Sequence, residues 1–271
     1  MTIPMKWALR RRMMMAALGS GIDVAALSIT YTGAHTDYGM VTMSDGARYR
    51  LLAFTSSGTL SIEQPVNCEV CVVGGGANGT KAANSGPSAG PGAGGAGAYL
   101  KNQSVSAYNG GSVVVGAAQG ISSIGGASVA AVAGKNGGTG AGGKTGGTGD
   151  GISKYPFEDM GYSLWAGKPH CAGGGQGVED RGGTGFSGGN GGTNGGNGYS
   201  RSGYVSNPSG GVGGSYGGGN GGGNGGGNKN GGNATYYGSG AGGGRLNSSS
   251  VLGNGGSGYQ GIVYMRIPVI Q

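Results

Sequence analysis

The sequence is poor in most of what builds a conventional protein interior. Of 271 residues, 3 are cysteine, 8 proline, 3 phenylalanine, 2 tryptophan and 2 histidine, and only 10% are charged. An odd number of cysteines excludes a complete disulfide framework and suits assembly in a reducing cytoplasm. So few prolines exclude collagen, which also needs glycine at every third position. No apolar run approaches the ~18–20 residues of a membrane-spanning helix, so no membrane insertion is expected. The net charge is +7. Its lysines and arginines are scattered, without the basic clusters and interleaved aromatics of a nucleic-acid surface, so no nucleic-acid partner is expected.

What is abundant is glycine, 74 residues in all. Residues 1–73 contain six, residues 259–271 one, and the remaining sixty-seven lie in 74–258. Interior glycine costs a helix about 0.8–1.0 kcal/mol relative to alanine, so the chain cannot be mostly helical. The double change in composition divides it into 1–21, 22–73, a glycine-rich body over 74–258, and a closing segment over 259–271.

The opening MTIPMKWALRRRMMMAAL predicts a short amphipathic helix, with Pro4 at its start and Gly19 and Gly21 at its stop. Its apolar run is too short for an export signal. Period-two alternation and turn residues predict strands over 27–31, 38–43, 48–54, 59–62 and 68–73. Further strands are expected at 98–102, 112–115, 127–133 and 261–267. Gln64-Pro65 and Asn109-Gly110 read as turns. The fold class expected is all-β or irregular: a small antiparallel sandwich resembling a jelly roll, with 22–73 completed by 95–133 and 259–271. That arrangement requires the two ends of the glycine body to meet.

A run such as GGGNGGGNGGGN at 217–228 buries almost no apolar area to offset chain entropy. Glycine does accept the extended threefold helix, whose N–H and C=O groups all point outward. Several such helices can bond backbone to backbone. The body is therefore expected to be a polyglycine-II bundle. Four segments interrupt it, at 152–171, 199–209, 235–237 and 245–252, and the loops expected to act in recognition are 152–170, 199–209 and 234–237. They hold Tyr155, Phe157, Tyr162, Trp165, Tyr199, Tyr204, Tyr236 and Tyr237, the candidate recognition residues.

The sharper motifs fail on context. Gly138–Thr145 (GTGAGGKT) lacks the strand before and helix after that a phosphate-binding loop needs. Gly185–Gly189 (GFSGG) lacks the setting of a nucleophile elbow. Cys68 and Cys71 lie three apart on a predicted strand and so point to opposite faces, which metal ligation does not allow. They read as one buried thiol and one near the surface, with Cys171 a loop thiol. Glu158-Asp159 and Glu179-Asp180 read as solvated turns. No enzyme activity, cofactor or metal is expected.

Tyr49–Gly76 reads YRLLAFTSSGTLSIEQPVNCEVCVVGGG. It resembles the segment that introduces the glycine-rich domain of bacteriophage tail fibre and tail-tip proteins. Residues 95–120, 122–134 and 258–267 (GYQGIVYMRI) are similar to later parts of that domain, and RRRMMMAAL to the start of related tail proteins. The body also resembles the polyglycine-II tip adhesins of T-even-type phages. The resemblance implies a virion tail protein, assembled in the host cytoplasm, that binds a host-surface glycan or outer protein. It implies tail attachment through Trp7, Arg10, Arg11, Arg12, Met13 and Met14 to other phage tail proteins, and it allows a homotrimer. A purely structural tail protein is the alternative. An ice-binding glycine bundle and an animal cell-surface domain fit less well.

Overall fold

The computed structural model describes residues 22–43, 46–81, 99–124, 130–131, 156–157, 170–175, 179–180, 184–186, 205–206, 212–213, 217–220, 230–247 and 252–269. The attachment segment 1–21 lies outside them. So do Tyr155, Tyr162, Trp165, Tyr199 and Tyr204. The described residues are strands and irregular segments, with no helix among them.

Strands rich in β-branched and aromatic residues are β1 (Ile29–Tyr31), β2 (His35–Thr42), β3 (Arg48–Phe54), β4 (Gly58–Val73), β5 (Tyr99–Val114) and β12 (Ile262–Pro268), joined by the short β6 (Ser122–Ile124) and β7 (Ala130–Ala131). These form one antiparallel sheet in the order β2-β3-β12-β4-β5-β6-β7, with β1 paired to β4. The chain's late strand β12 thus lies in the middle. Val263 faces Phe54 of β3, and Ile262 faces Val73 of β4. The ends of the glycine body meet there, as the sequence requires.

Two predicted turns lie inside strands. The β4–β5 register breaks between Ser61 and Val66. On its other edge β4 pairs with β1 at Leu60–Ile62 and with β12 only from Glu69. Pro65 sits in this double gap, where its missing N–H forfeits no ladder bond. Asn109-Gly110 lies within β5, where Gly110 and Gly111 take positive φ (124° and 146°) and opposite Ser61 and Leu60 keep the ladder going.

The middle strands are buried on both sides. Leu52, Phe54, Val70, Val72, Val263 and Met265 pack on one face with Val24 and Leu27. Leu51, Ala53, Cys71, Val73, Ile262 and Tyr264 pack on the other with Phe157 and Cys171. Each buried Val, Leu, Ile, Phe or Met side chain among them contributes about 1.5–3 kcal/mol. Cys68 and Cys71 fall on opposite faces, as strand alternation demands, but all three cysteines are buried. The expectation of one near-surface thiol is corrected, because both sheet faces are covered; Cys171 lies in an irregular segment, as expected, and is buried too. Burial pushes the Cys68 thiol up to about 12.

Among the described residues a second full sheet does not supply the cover on the Leu51 face, which departs from the jelly-roll expectation. Glycine-rich segments supply that cover, and their hydrogen bonds repeat every three residues. Gly240 and Gly243 donate to Ala172 and Gly175; Ala241 and Gly244 donate to Ala77 and Thr80. Ser239, Gly242 and Arg245 accept from Tyr259, Gly256 and Gly253. A strand would repeat every two residues, and an α-helix would bond within itself. The partner pairs fix directions. Segments 74–81, 171–175, 217–220 and 238–245 run away from the sheet, while 230–235 and 253–261 run back toward it.

The outgoing segment 238–245 leads directly into a second, small sheet. There β8 (Glu179–Asp180), β9 (Thr184–Phe186), β10 (Val205–Ser206) and β11 (Leu246–Asn247) pair in the order β10-β9-β8-β11. Glu179-Asp180 is therefore a strand pair, beside Leu246 and Asn247 in parallel, and not a free turn.

Candidate binding surface

Arg266 defines how one predicted contact is used. It lies on β12, 1% exposed. Its Nε donates to Glu69 Oε2 at 2.7 Å, and its guanidinium also pairs with that carboxylate through NH2. The guanidinium is held between Tyr49 and Phe157, 4.6 and 4.4 Å from their ring centroids. A buried cation needs such partners, because desolvation alone would expel it. Phe157 reaches it from a left-handed backbone conformation (φ 50°) and is 0% exposed. The expectation of Phe157 as a receptor contact is thus corrected, since its ring is enclosed between sheet and cover.

Tyr236 and Tyr237 occupy the turn between an incoming and an outgoing glycine segment. They lie at the sheet end and not at the remote tip. Thr235 N–H donates to Gly217 and Gly238 N–H to Gln260, which fixes the turn on both sides. Gly238 takes φ +67°, and a Cβ there would stand 2.6 Å from Val73 Cγ1 and 2.8 Å from Cys171 Sγ. Only glycine fits this close approach.

Below the turn lies His170, 1% exposed. Its Nε2 and the Tyr264 hydroxyl share a hydrogen bond at 2.8 Å. Its ring contacts Tyr236 at 5.1 Å, stacks on Tyr237 at 6.0 Å and meets Tyr264 edge-on at 5.6 Å. Tyr236 and Tyr237 are 5.2 Å apart, and Tyr259 meets Tyr237 edge-on at 5.6 Å. Tyr38, on the edge strand β2, is 43% exposed.

Burial pushes the Tyr236 phenol up to about 12, helped by Tyr237 and Tyr38. Burial also raises Tyr237, with Tyr259 and Tyr38 adding to it, and raises Tyr264 well above the usual tyrosine range. Burial lowers the His170 imidazole to about 3. These four side chains therefore stay uncharged across the neutral range. They offer ring faces and hydroxyls for binding and no proton acceptor poised for transfer.

Of the described sequence-predicted residues, the structure brings Tyr236 and Tyr237 together and buries Phe157 elsewhere on the same face. Sequence reasoning missed Tyr38, His170, Tyr259 and Tyr264. Only Gly238 beside a tyrosine pair hinted at a tight, loaded turn. Among the described residues no group of three or more His, Cys, Asp or Glu could hold a metal ion. No helix among them is long and apolar enough to cross a membrane. Comparisons with family models, curated proteins and solved structures find no match for this chain.

Proposed function

We propose that the chain is a bacteriophage tail fibre or tail-tip adhesin. Its glycine-rich body is a bundle of polyglycine-II helices, and segments carried between those helices bind a receptor on the host bacterial surface. The observation that carries this reading is the three-residue repeat of backbone bonds between segments with almost no side chains. Threefold extended helices give that repeat, and rigid side-chain-free rods suit loop display. The resemblance of 49–76 and 258–267 to tail proteins supplies the setting. Attachment through 1–21 to other tail proteins, a virion location, non-enzymatic action and trimer formation belong to the same proposal.

A purely structural tail protein is the second reading. The burial of Phe157 favours it for the segment 152–170, whose one described large ring faces inward. Labelled full-length chain, applied to a panel of bacterial strains, separates the two. An adhesin adheres to some strains and loses them when 199–209 is replaced by a Gly-Ser segment of equal length. Adherence to no strain, or adherence unchanged by replacing 152–170, 199–209 and 234–237 in turn, removes the adhesin reading.

A further inference from the structure

We propose that Asn254-Gly255 is a self-modification site, where the folded chain converts asparagine to aspartate and isoaspartate. Asparagine is chemically labile, and a following glycine leaves its side-chain amide open to attack. The glycine amide nitrogen gives its proton to water and attacks the asparagine Cγ. A C–N bond forms, the Cγ–Nδ2 bond breaks, and Nδ2 takes up a proton and leaves as ammonia. Water then opens the resulting succinimide at either carbonyl. One opening gives aspartate and the other isoaspartate. The balance is one water in and one ammonia out, with no oxidant or reductant.

Three such pairs, Asn78-Gly79, Asn230-Gly231 and Asn254-Gly255, lie in the described glycine segments. The sequence makes them equivalent, and the hydrogen bonds do not. Asn78 Oδ1 accepts the Gly258 N–H at 2.8 Å, and its Nδ2 donates to Gln119 Oε1 at 3.2 Å. Gly79 N–H donates to Gly256 at 3.0 Å. Asn230 Oδ1 accepts the Asn254 N–H at 2.9 Å, and Gly231 N–H donates to the Asn254 carbonyl at 2.8 Å. At both pairs the attacking nitrogen and the attacked amide are tied to other segments. Among the described residues no acceptor takes the Gly255 N–H, and the exposed Asn254 side chain makes no hydrogen bond. Ring closure turns the peptide unit between the two residues. At Asn254 that breaks one bond, from Gly231; at Asn230 it breaks two, and at Asn78 three. Closure is therefore expected to be roughly fivefold slower at Asn230 and roughly thirtyfold slower at Asn78.

The three-residue step explains why Gly255 is left out. Segments 74–81 and 253–261 run antiparallel. Gly76 and Gly79 donate to Tyr259 and Gly256, and Asn78 takes the Gly258 N–H in return. Asn230 and Asn233 take the N–H groups of Asn254 and Ser257 in the same way. Asparagine side chains thus supply the acceptor that the antiparallel neighbour's backbone does not. Three residues before Gly258 is Gly255, and three after Asn78 is Lys81. A lysine side chain has no acceptor to offer. Isoaspartate also carries the backbone through the side chain, one carbon longer. Gly253 and Gly256 donate to Arg245 and Gly242 on either side of it, and a longer link takes one of these bonds out of step.

This chemistry is independent of what the chain binds. Full-length chain is held for weeks in neutral buffer at body temperature, folded and in urea. Peptide mapping by mass follows the exchange of ammonia for water at each asparagine. In the folded chain Asn254 is expected to convert several-fold faster than Asn230 and Asn78, and in urea the three rates are expected to converge. Lys81→Asn supplies the missing acceptor and is expected to slow Asn254 roughly fivefold. Lys81→Ala, which supplies none, is expected to convert at the parent rate. Conversion at Asn230 or Asn78 as fast as at Asn254 in the folded chain overturns the site. So does an absence of conversion at Asn254, or a Lys81→Asn chain that melts with the parent and converts at its rate.

Discussion

His170 shows how one residue couples the glycine layer to the sheet. It sits at the base of an outgoing segment and bonds Tyr264 of the central strand. Its folded pKa is about 3, against 6.5 when unperturbed. Between those values the unfolded chain takes up a proton that the folded chain refuses. Stability therefore falls as pH drops below 6.5, by up to about 1.4 kcal/mol per pH unit. Asp37, whose pKa is lowered below 3.8, adds its own loss only in stronger acid. Urea melts at pH 7, 6, 5 and 4 are expected to show declining midpoints for the parent chain. His170→Gln should flatten that decline, and an equal decline in the variant would refute the assignment. None of this was legible in the sequence. Tyr264 lies 94 residues from His170, and a lone histidine after a proline carries no sign of its partner. Tyr236 and Tyr237 stood out as an aromatic pair, but which end of the molecule they occupy depends on the directions of segments that look alike.

Elements were more legible where side chains specify them. β3 runs over the residues predicted, and β12 is shifted by one. Errors fell where glycine or proline punctuates a strand without ending it. Pro65 is tolerated because neither neighbour pairs with it, and Gly110 because a register slip absorbs it. The glycine segments obey a different constraint, which is room for backbone. A Cβ on Gly76 would overlap the carbonyl oxygen of Ser239, and one on Gly79 that of Gly242. The two clashes are three residues apart, like the hydrogen bonds. Neither side can yield, since the obstructing atoms are backbone bonded to further segments. Gly79→Ala is therefore expected to destabilise the chain by about 1–3 kcal/mol, as overpacking does, and to lower the melting temperature by several degrees. A variant melting with the parent would mean the segments slide freely, contrary to the bonding described.

At the scale of the whole molecule, two unlike layers depend on one strand. The sheet is held by side-chain burial, and the glycine layer by backbone bonds of about 1 kcal/mol each. Both are anchored where β12 enters between β3 and β4. A chain stopped at Gly261 would split the sheet into β2-β3 and the part beginning with β4. It would also expose apolar faces such as Leu52, Phe54, Val70 and Val72. Such a chain is expected to lose its cooperative melting transition and its resistance to protease, and retention of both would show that the sheet stands without β12. The placement of β12 also governs timing on the ribosome. Its partners β3 and β4 emerge some two hundred residues earlier and must wait, apolar edges open, while the entire glycine body is translated. Folding therefore completes only once β12 has emerged. That interval is when the nascent chain is open to aggregation and to chaperones.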